Sequence, residues 1–363
     1  MVHKENFLLI YTNVFFVKGH TRTMILDLLK NDWIFFDNEY ADLIDLFANN
    51  SVATIAKSID PESQEDFYNF IQFLLNNDYA CYVDDISLFP KIEEVWHTPY
   101  KITNCIIDFS DKIHEMEKIS NNLFLLGCQY IELRFYSDIQ IVELQNILKY
   151  LKNKDFRNIH IILKYNSGIS NDSLFNICKD YLNLSFTLYN APINEYFKNE
   201  LENVLPSVGY IHYIKQNIID CTSCGIINST TFLNPKNIGV FMSNKLYNSC
   251  LNRKISIDID GNIKNCPSMK ESYGNINEIS LLDAYKNESF RNVWSLNKDM
   301  ISTCKDCEFR YVCSDCRAYT EVPDDHNSKP LKCGYDPYTG EWEDWSKNPF
   351  KQKSINYYKI QTL

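Results

Sequence analysis

The chain has 363 residues with a net charge of −11, and 45% of them are hydrophobic. This length predicts two or three domains with ample apolar material for a core. No apolar run approaches the roughly 20 residues of a membrane-spanning helix, and the first residues lack a signal-peptide pattern. We therefore expect a cytoplasmic protein with no membrane partner. In that reducing compartment, its thirteen cysteines favour metal binding over disulfides.

The negative charge is concentrated in the first quarter of the chain. Residues 1–96 contain six Lys and Arg against sixteen Asp and Glu, a balance of −10. A surface with this charge repels phosphate backbones. The composition therefore argues against nucleic acid as a partner.

The first 96 residues predict a small mixed domain. Residues 6–17 form a predicted strand, and the two short apolar runs TMILDLL and WIFFD follow it. Three predicted helices come next, EYADLIDLFAN, VATIAKSI and a helix that starts at Pro61, and YACYV closes the unit as a strand. Three strands, three helices and a wing are the pattern of a winged-helix domain, which we assign to residues 1–96.

Strands and helices alternate in residues 97–245. Five near-continuous apolar runs have the length of strands: KITNCIIDF, YIELRFY, NIHIILKY, LSFTLYN and VGYIHYI. Between them lie predicted helices such as IQIVELQNILKYLKN, NDSLFNICKDYL and INEYFKNELENVL. This alternation is typical of parallel βα units. Five units are too few for a closed eight-fold barrel, so an α/β fold with a partial (β/α) barrel is predicted here.

Residues 246–346 are rich in cysteine, Gly, Asp and Asn, with one predicted helix, SLLDAYKNESFRNVW, near 280–294. Such a composition predicts a small domain organised by metal, followed by a C-terminal tail over residues 347–363. Four of its cysteines have the spacing C-x2-C-x5-C-x2-C: Cys304, Cys307, Cys313 and Cys316. Taken alone, these four favour a structural zinc, with an iron–sulfur cluster as the second interpretation.

Three further cysteines change this balance. Cys250 and Cys266 bracket Gly261 in the pattern C-x10-G-x4-C, and Cys333 follows the four-cysteine run at a distance. Seven cysteines fit one zinc site poorly, because zinc takes four ligands. Two cubane clusters need eight thiolates, or seven with one position open or filled from elsewhere. The complete pattern favours two iron–sulfur clusters and keeps zinc as the alternative.

The seven-cysteine order resembles the SPASM domain of many radical S-adenosylmethionine (AdoMet) peptide-modifying enzymes. The stretch NSCLNRKISIDIDGNIKNCPSMK…CKDCEFRYVCSDCRAY is similar to the SPASM peptide maturases of the grasp-with-spasm type, which accompany an ATP-grasp ligase and a small ribosomal precursor peptide. The resemblance extends over the whole chain but is carried by residues 250–345. It implies a protein of ribosomal peptide (RiPP) maturation, whose partners are the precursor peptide and the ligase.

The resemblance also implies which cysteines hold each 4Fe–4S cluster. The outer group comprises Cys304, Cys307, Cys313 and Cys333. The inner group comprises Cys250, Cys266 and Cys316. The family motif does not fix a fourth inner ligand, and our candidates are Cys224 of the nearby DCTSCG stretch and, second, Cys221. The alternative for Cys221 and Cys224 is a pair of ordinary thiols. The remaining cysteines lie in apolar patterns and are predicted core residues: Cys81, Cys105, Cys128 and Cys178.

The chain departs from the family in the AdoMet-binding devices. The family's C-x3-C-x2-C motif occurs nowhere, and the matching stretch ITNCIIDFSDKIHEME holds only Cys105. YIELRFYSD stands where a Gly-Gly-Glu turn is expected. We therefore do not expect AdoMet as a cofactor, and the catalytic residues remain unknown. Two functions stay open: a redox enzyme acting on the peptide, and an adaptor that delivers the peptide to the ligase.

The N-terminal domain, fused to such a maturase, resembles the RiPP recognition element, a module that captures leader peptides. The leader adds a strand to an exposed sheet edge. The strand near residues 6–17 and the helix near 62–77 are the predicted walls of this groove, and a purely structural cap is the alternative. A zinc-bearing winged-helix regulator is a further reading, which the acidity and the seven-cysteine order disfavour.

Overall fold

The computed structural model describes residues 6–181, 183–198, 209–228 and 237–361. Within these ranges the strands form an eight-stranded sheet, a three-stranded sheet and two two-stranded sheets. No helix in the same ranges is long and apolar enough to span a bilayer. The fold class is mixed α/β, as the sequence predicts.

The N-terminal module contains five strands and three α-helices. They are β1 (Phe7–Ile10), β2 (Val14–Lys18), β3 (Thr23–Asp27), β4 (Asp32–Phe36), α1 (Ala41–Phe47), α2 (Val52–Lys57), α3 (Gln64–Asn76) and β5 (Ala80–Val83). The single strand predicted over residues 6–17 is in fact two strands, because the chain turns where the amide of Val14 donates to the carbonyl of Tyr11. β1 pairs with β5, whereas β2, β3 and β4 form an antiparallel meander. The winged-helix assignment stays a prediction.

The β2–β3–β4 sheet is covered on both faces. Side chains alternate between the faces of a strand. Val14 and Ile25 on one face belong to the core formed with the N-terminal helices. Phe15 and Met24 on the other face belong to a core shared with the cysteine-rich segment, which includes Phe309. The N-terminal module is therefore packed directly on the region of the predicted metal ligands.

The eight-stranded sheet forms the centre of the molecule. Its strands are β6 (Asn104–Phe109), β7 (Tyr130–Phe135), β8 (Asn158–Lys164), β9 (Leu184–Tyr189), β10 (Glu195–Lys198), β11 (Tyr210–Tyr213), β12 (Lys254–Ile257) and β13 (Ile263–Lys264). The spatial order is β10-β11-β9-β8-β7-β6-β12-β13, with antiparallel pairing only at the two edges. The helices α4 (Met116–Leu125), α5 (Ile141–Leu148) and α6 (Asn171–Asp180) connect successive parallel strands. All five predicted strands are present, and β12 and β13 extend the sheet from beyond the predicted boundary at residue 245.

One predicted helix in this region is wrong. The stretch INEYFKNELENVL contains β10, and its residues from 199 onward lie outside the described part of the chain. β10 pairs antiparallel with β11, so that Tyr196 lies opposite His212. The ring centroids of Tyr196 and Tyr210 are 5.3 Å apart. Cross-strand aromatic packing of this kind outweighs the local helical pattern.

The C-terminal part contains short elements joined by tight turns. They are α7 (Ile238–Leu246), α8 (Leu281–Lys286), β14 (Tyr335–Asp336), β15 (Glu341–Trp342) and α9 (Gln352–Tyr357). The helix predicted near 280–294 breaks at Asn287, whose extended backbone ends α8 and whose side chain caps the 3-10 helix Glu288–Ser295. Ile355 of the predicted tail is buried against Leu331. The tail is thus part of the core of the cysteine-rich segment.

Candidate metal centre

The outer group lines a single pocket. Cys304, Cys307, Cys313 and Cys333 all contribute to its wall, together with apolar side chains such as Phe309. Burial, countered by Lys298 and reinforced by Cys333 and Cys304, raises the pKa of the Cys313 thiol to about 12. The four predicted outer ligands are therefore neighbours in a mostly apolar environment.

Tight turns bring the outer cysteines together. The amide of Cys307 donates to the carbonyl of Cys304 at 3.0 Å, and the amide of Cys313 donates to the carbonyl of Phe309 at 2.9 Å. A 3-10 turn closes over three residues and brings Cys307 back towards Cys304. An α-type turn closes over four residues and does the same for Cys313 within the C-x5-C segment. Cys333 comes from further along the chain, and its backbone forms an isolated parallel β-bridge with that of Ile227.

The inner group is held together by the loops around β12 and β13. Burial raises the pKa of the Cys266 thiol to about 12, Lys254 lowers it, and the neighbouring thiols of Cys250, Cys224 and Cys316 raise it further. Burial also raises the pKa of the Cys316 thiol to about 12, and Cys250 and Cys224 raise it further. The structure therefore places Cys316 with the inner thiols, although Cys313, only three residues earlier, belongs to the outer pocket.

The loop that contains Cys224 packs closely against Cys316 of the inner group at the next residue, Gly225. Gly225 has φ +87°, and a Cβ built there would lie 3.0 Å from the Sγ of Cys316. The ammonium of Lys332 holds this loop by donating to the carbonyl of Cys224 at 2.9 Å. Cys221 lies within electrostatic reach of Asp108 instead. The geometry favours Cys224 over Cys221, and the fourth inner ligand stays a prediction.

The four remaining cysteines lie away from both groups. Cys105, Cys128 and Cys178 are buried in the core of the eight-stranded sheet, and Cys81 is half-buried in β5. Burial raises the pKa of Cys128 and of Cys178 to about 12. These positions match the predicted structural role of small apolar side chains.

Two lysines that sequence reasoning missed donate to cysteine sulfurs. The Nζ of Lys254 lies 3.1 Å from the Sγ of Cys250, and the Nζ of Lys298 lies 3.8 Å from the Sγ of Cys304. Burial opposes the charge on Lys254, but the nearby thiols raise its pKa above the ordinary range. The only sequence signal for Lys254 is its polar position in the alternating run KISID. Nothing in the sequence singles out Lys298.

A buried hydrogen-bonded chain joins the two groups. Lys298 contacts the carboxylate of Asp315 at 3.2 Å, and Asn248 donates to the same carboxylate at 2.6 Å. The side-chain oxygen of Asn248 then accepts from the amide of Cys250 at 3.0 Å. Arg317 completes the charge balance by contacting Asp315 at 2.8 Å. Lys298, Asp315 and Asn248 thus link the thiol of Cys304 in the outer group to the backbone amide of Cys250 in the inner group.

The eight-stranded sheet has one apolar and one polar face. On β7 the apolar residues alternate with Glu132 and Arg134, whose side chains form an ion pair at 2.5 Å. His160, opposite Glu132 in the next strand, contacts that carboxylate at 3.4 Å and Thr187 at 3.0 Å. The sequence shows these polar positions within the strands, but not that they share one face with the inner cysteines.

Asp108 is the carboxylate on this face whose pKa departs furthest from its ordinary value. Burial raises its pKa to about 7, with Arg134 and Tyr136 acting in the opposite direction. The hydroxyl of Tyr136 donates to one carboxylate oxygen at 3.0 Å, and the other oxygen is buried without a partner among the described residues. Burial disfavours the charge of Arg134, whereas Glu132, Cys224 and Asp108 raise its pKa. The inner group therefore faces the polar side of the sheet, while the outer group faces the N-terminal module.

The donor chemistry fits iron–sulfur ligation. All eight candidate donors are thiols, which suit iron–sulfur clusters and also zinc. In the described part of the chain, no three His, Cys, Asp or Glu side chains are arranged to hold a single metal ion. A bound metal would displace the protons of the high-pKa thiols and release them.

Residues 249–308 match the SPASM family, described as an iron–sulfur cluster-binding domain. No curated protein has a matching sequence. The chain is also similar to three solved structures of SuiB from Streptococcus suis: SuiB itself, SuiB bound to S-adenosylmethionine, and SuiB bound to the precursor peptide SuiA. Their identity to this chain is 11–13%, and the alignments cover 88–89% of this chain and 98% of SuiB at TM-scores of 0.36–0.37. The family match assigns iron–sulfur binding to residues 249–308.

Proposed function

We propose that this chain is an iron–sulfur protein of a RiPP maturation pathway, with one 4Fe–4S cluster in the outer group and one in the inner group. The observation that carries the proposal is the match of residues 249–308 to an iron–sulfur cluster-binding domain. The separation of eight cysteines into two groups of four supports two clusters. The chain acts as a peptide maturase or delivery adaptor with an ATP-grasp ligase, without AdoMet radical chemistry.

The precursor peptide binds at an edge of the β2–β3–β4 sheet. Both faces of this sheet are covered, so only the edge strands β2 and β4 offer unpaired backbone groups within the described part. An extended leader can pair with such an edge. Phe36 at the end of β4 stacks on Phe70 of α3 with ring centroids 5.5 Å apart. In the proposed groove α3 stays the helical wall, and β4 replaces the strand predicted near residues 6–17 as the other wall.

Metal analysis tests the cluster assignment. Protein purified without oxygen should be brown and contain roughly eight iron atoms per chain, since each cubane holds four. Iron, inorganic sulfide and the visible absorption spectrum are the measurements. Colourless, folded protein that contains only zinc would replace this proposal with the zinc-bearing regulator.

An AdoMet cleavage assay tests the proposed absence of radical chemistry. Reduced, iron-loaded protein incubated with AdoMet should form no 5′-deoxyadenosine. The rival function, a redox enzyme that modifies the peptide, is favoured by one observation: Arg134 on the polar face of the sheet lies within electrostatic reach of Cys224 of the inner group. Formation of 5′-deoxyadenosine above the level of the reductant-only control would put that enzyme first.

Binding measurements test the partners. The chain should bind its precursor peptide and an ATP-grasp ligase at micromolar concentration, and a leader-free core peptide should bind much more weakly. A precursor that binds equally well without its leader would contradict docking at the N-terminal sheet. A ligase that does not associate would contradict delivery.

A further inference from the structure

The two lysines that donate to cysteine sulfurs differ in their neighbours. Lys298, at the outer group, has the Asp315 carboxylate 3.2 Å away. Lys254, at the inner group, lies 3.1 Å from the Sγ of Cys250 and has no Asp or Glu within ion-pair distance in the described part of the chain. The cation at the outer group therefore has a carboxylate partner, which it shares with Arg317, whereas the cation at the inner group has none among the described residues.

A second uncompensated lysine lies at the inner group. Lys332 is 2% exposed and donates to the carbonyls of Thr222 and Cys224. No acidic side chain of the described residues forms an ion pair with it, and it lies within electrostatic reach of Cys316 and Cys224. The inner group thus has two buried cations that interact with its thiols, and Asp220 acts on Lys332 from beyond ion-pair distance.

The outer group has a buried acid instead. Glu308 follows Cys307 directly and is fully buried. Burial raises the pKa of Cys307, and both Cys313 and Glu308 raise it further. One oxygen of Glu308 accepts from Arg22 at 2.7 Å, which compensates the charge, and the other oxygen has no partner among the described residues. The outer group therefore has two buried carboxylates, Glu308 and Asp315, paired with its cations, whereas Lys254 and Lys332 at the inner group pair with no carboxylate of the described residues.

We propose that a cluster held by the inner group has a higher reduction potential than one held by the outer group, and that Lys254 sets this difference. The inference rests on the proposed function, in which both groups hold clusters. One-electron reduction adds one negative charge to a site and makes or breaks no bond. Cluster potential follows net charge, hydrogen bonds to sulfur and solvent exposure. Lys254 adds a positive charge and a hydrogen bond to the sulfur of Cys250, and the exposed Cys224 adds solvent exposure.

The consequence is a direction for electrons. An electron from a one-electron donor of low potential comes to rest at the inner group. There it lies near Arg134 on the polar face of the sheet, and not beside the N-terminal module. A nearby cation stabilises the added charge most strongly where the dielectric constant is low, as it is around these buried residues.

Potentiometric titration with dithionite, followed by electron paramagnetic resonance, tests the proposal on the iron-loaded protein. The full chain should show two midpoints, the higher of which persists in C304A/C307A, the double variant that removes outer ligands only. K254M should lower that midpoint. At the wild-type midpoint, its ratio of reduced to oxidised cluster should fall at least tenfold, which is about 59 mV for one electron.

Two control variants separate charge from packing. K254R keeps the cation and should stay near the wild-type midpoint, and K353M removes an exposed lysine and should change neither midpoint. If K254M loses iron, K332M provides the second test and should lower the same midpoint. An inner midpoint equal to or below the outer one, or equal midpoints for K254M and K254R, would overturn the inference. Protein that binds no iron would instead refute the proposed function.

Discussion

Arg22, in the turn between β2 and β3, donates from Nε to an oxygen of the fully buried Glu308 at 2.7 Å. The hydroxyl of Tyr335 donates to the same oxygen at 2.5 Å, and the guanidinium of Arg22 stacks 3.8 Å above the ring of Phe35. Because Glu308 follows Cys307 directly, this ion pair fixes the N-terminal sheet to the outer cysteine group. The proposed peptide-binding module and the proposed metal centre are thus parts of one packed unit.

Removal of Arg22 should destabilise the protein strongly. R22M leaves the buried Glu308 without its cation, which costs about 3–5 kcal/mol. The double variant R22M/E308Q should recover most of this loss, because it removes the uncompensated charge. Thermal unfolding of the iron-loaded proteins measures the effect. K18M, which breaks an exposed ion pair with Asp42, should cost only about 0–1 kcal/mol. An R22M protein as stable as K18M would contradict the buried ion pair.

Paired cysteine variants should show that the two groups interlock. C304A/C307A removes two outer thiols and should leave about half of the iron, since only one four-iron site is lost. C313A/C316A removes two cysteines with the same C-x2-C spacing, one from each group, and should lose nearly all of it.

Iron and sulfide analysis of each purified variant is the measurement, and C178A is the matched control from the sheet core. Equal iron loss in the two double variants would mean that the four-cysteine run holds a single metal site.

The parallel strands were predictable because each is a nearly continuous apolar run of strand length. The strand β10 was not, since the run INEYFKNELENVL has a helical pattern and only its pairing with β11 decides the outcome. The break at Asn287 was missed for a similar reason. A side chain that caps the following turn ends the helix within an otherwise periodic segment.

The cysteines of the candidate site were predictable, but their surroundings were not. The order of the cysteines resembles a family pattern, and that pattern assigns Cys313 and Cys316 to different groups. Lys298 and Asp315 have no sequence signal, because their meeting depends on how the loops fold around the thiols. Spacing along the chain identifies ligands, whereas the charges that surround them are set by tertiary contacts.

Gly225 should be required for a complete inner group. It has φ +87°, and an added Cβ would lie 3.0 Å from the Sγ of Cys316. G225A therefore strains the backbone and pushes the Cys224 loop away from the group, at a cost on the order of 1–3 kcal/mol. The iron content and the electron paramagnetic resonance signal of the inner cluster should fall, while the signal of the outer cluster persists. G168A, at an exposed glycine without positive φ, is the control and should change neither.

Asp108 should make stability depend on pH. Burial raises its pKa to about 7 from an ordinary value of 3.8, so the native state holds a proton that the unfolded chain releases. The stability from this group is fully present below about pH 4 and is lost as the pH rises through 7. The loss is roughly 1–4 kcal/mol, because each unit of pKa difference corresponds to about 1.4 kcal/mol.

D108N removes this titration, and its thermal stability relative to wild type should therefore be greater at pH 8 than at pH 5. The measurement compares unfolding temperatures of both proteins at the two pH values, with equal iron loading checked by absorbance. D138N changes an exposed carboxylate after the adjacent strand and should leave the pH dependence as it is. If D108N and wild type lost stability in parallel between pH 5 and pH 8, Asp108 would be charged throughout, and the polar face would have to compensate that charge fully.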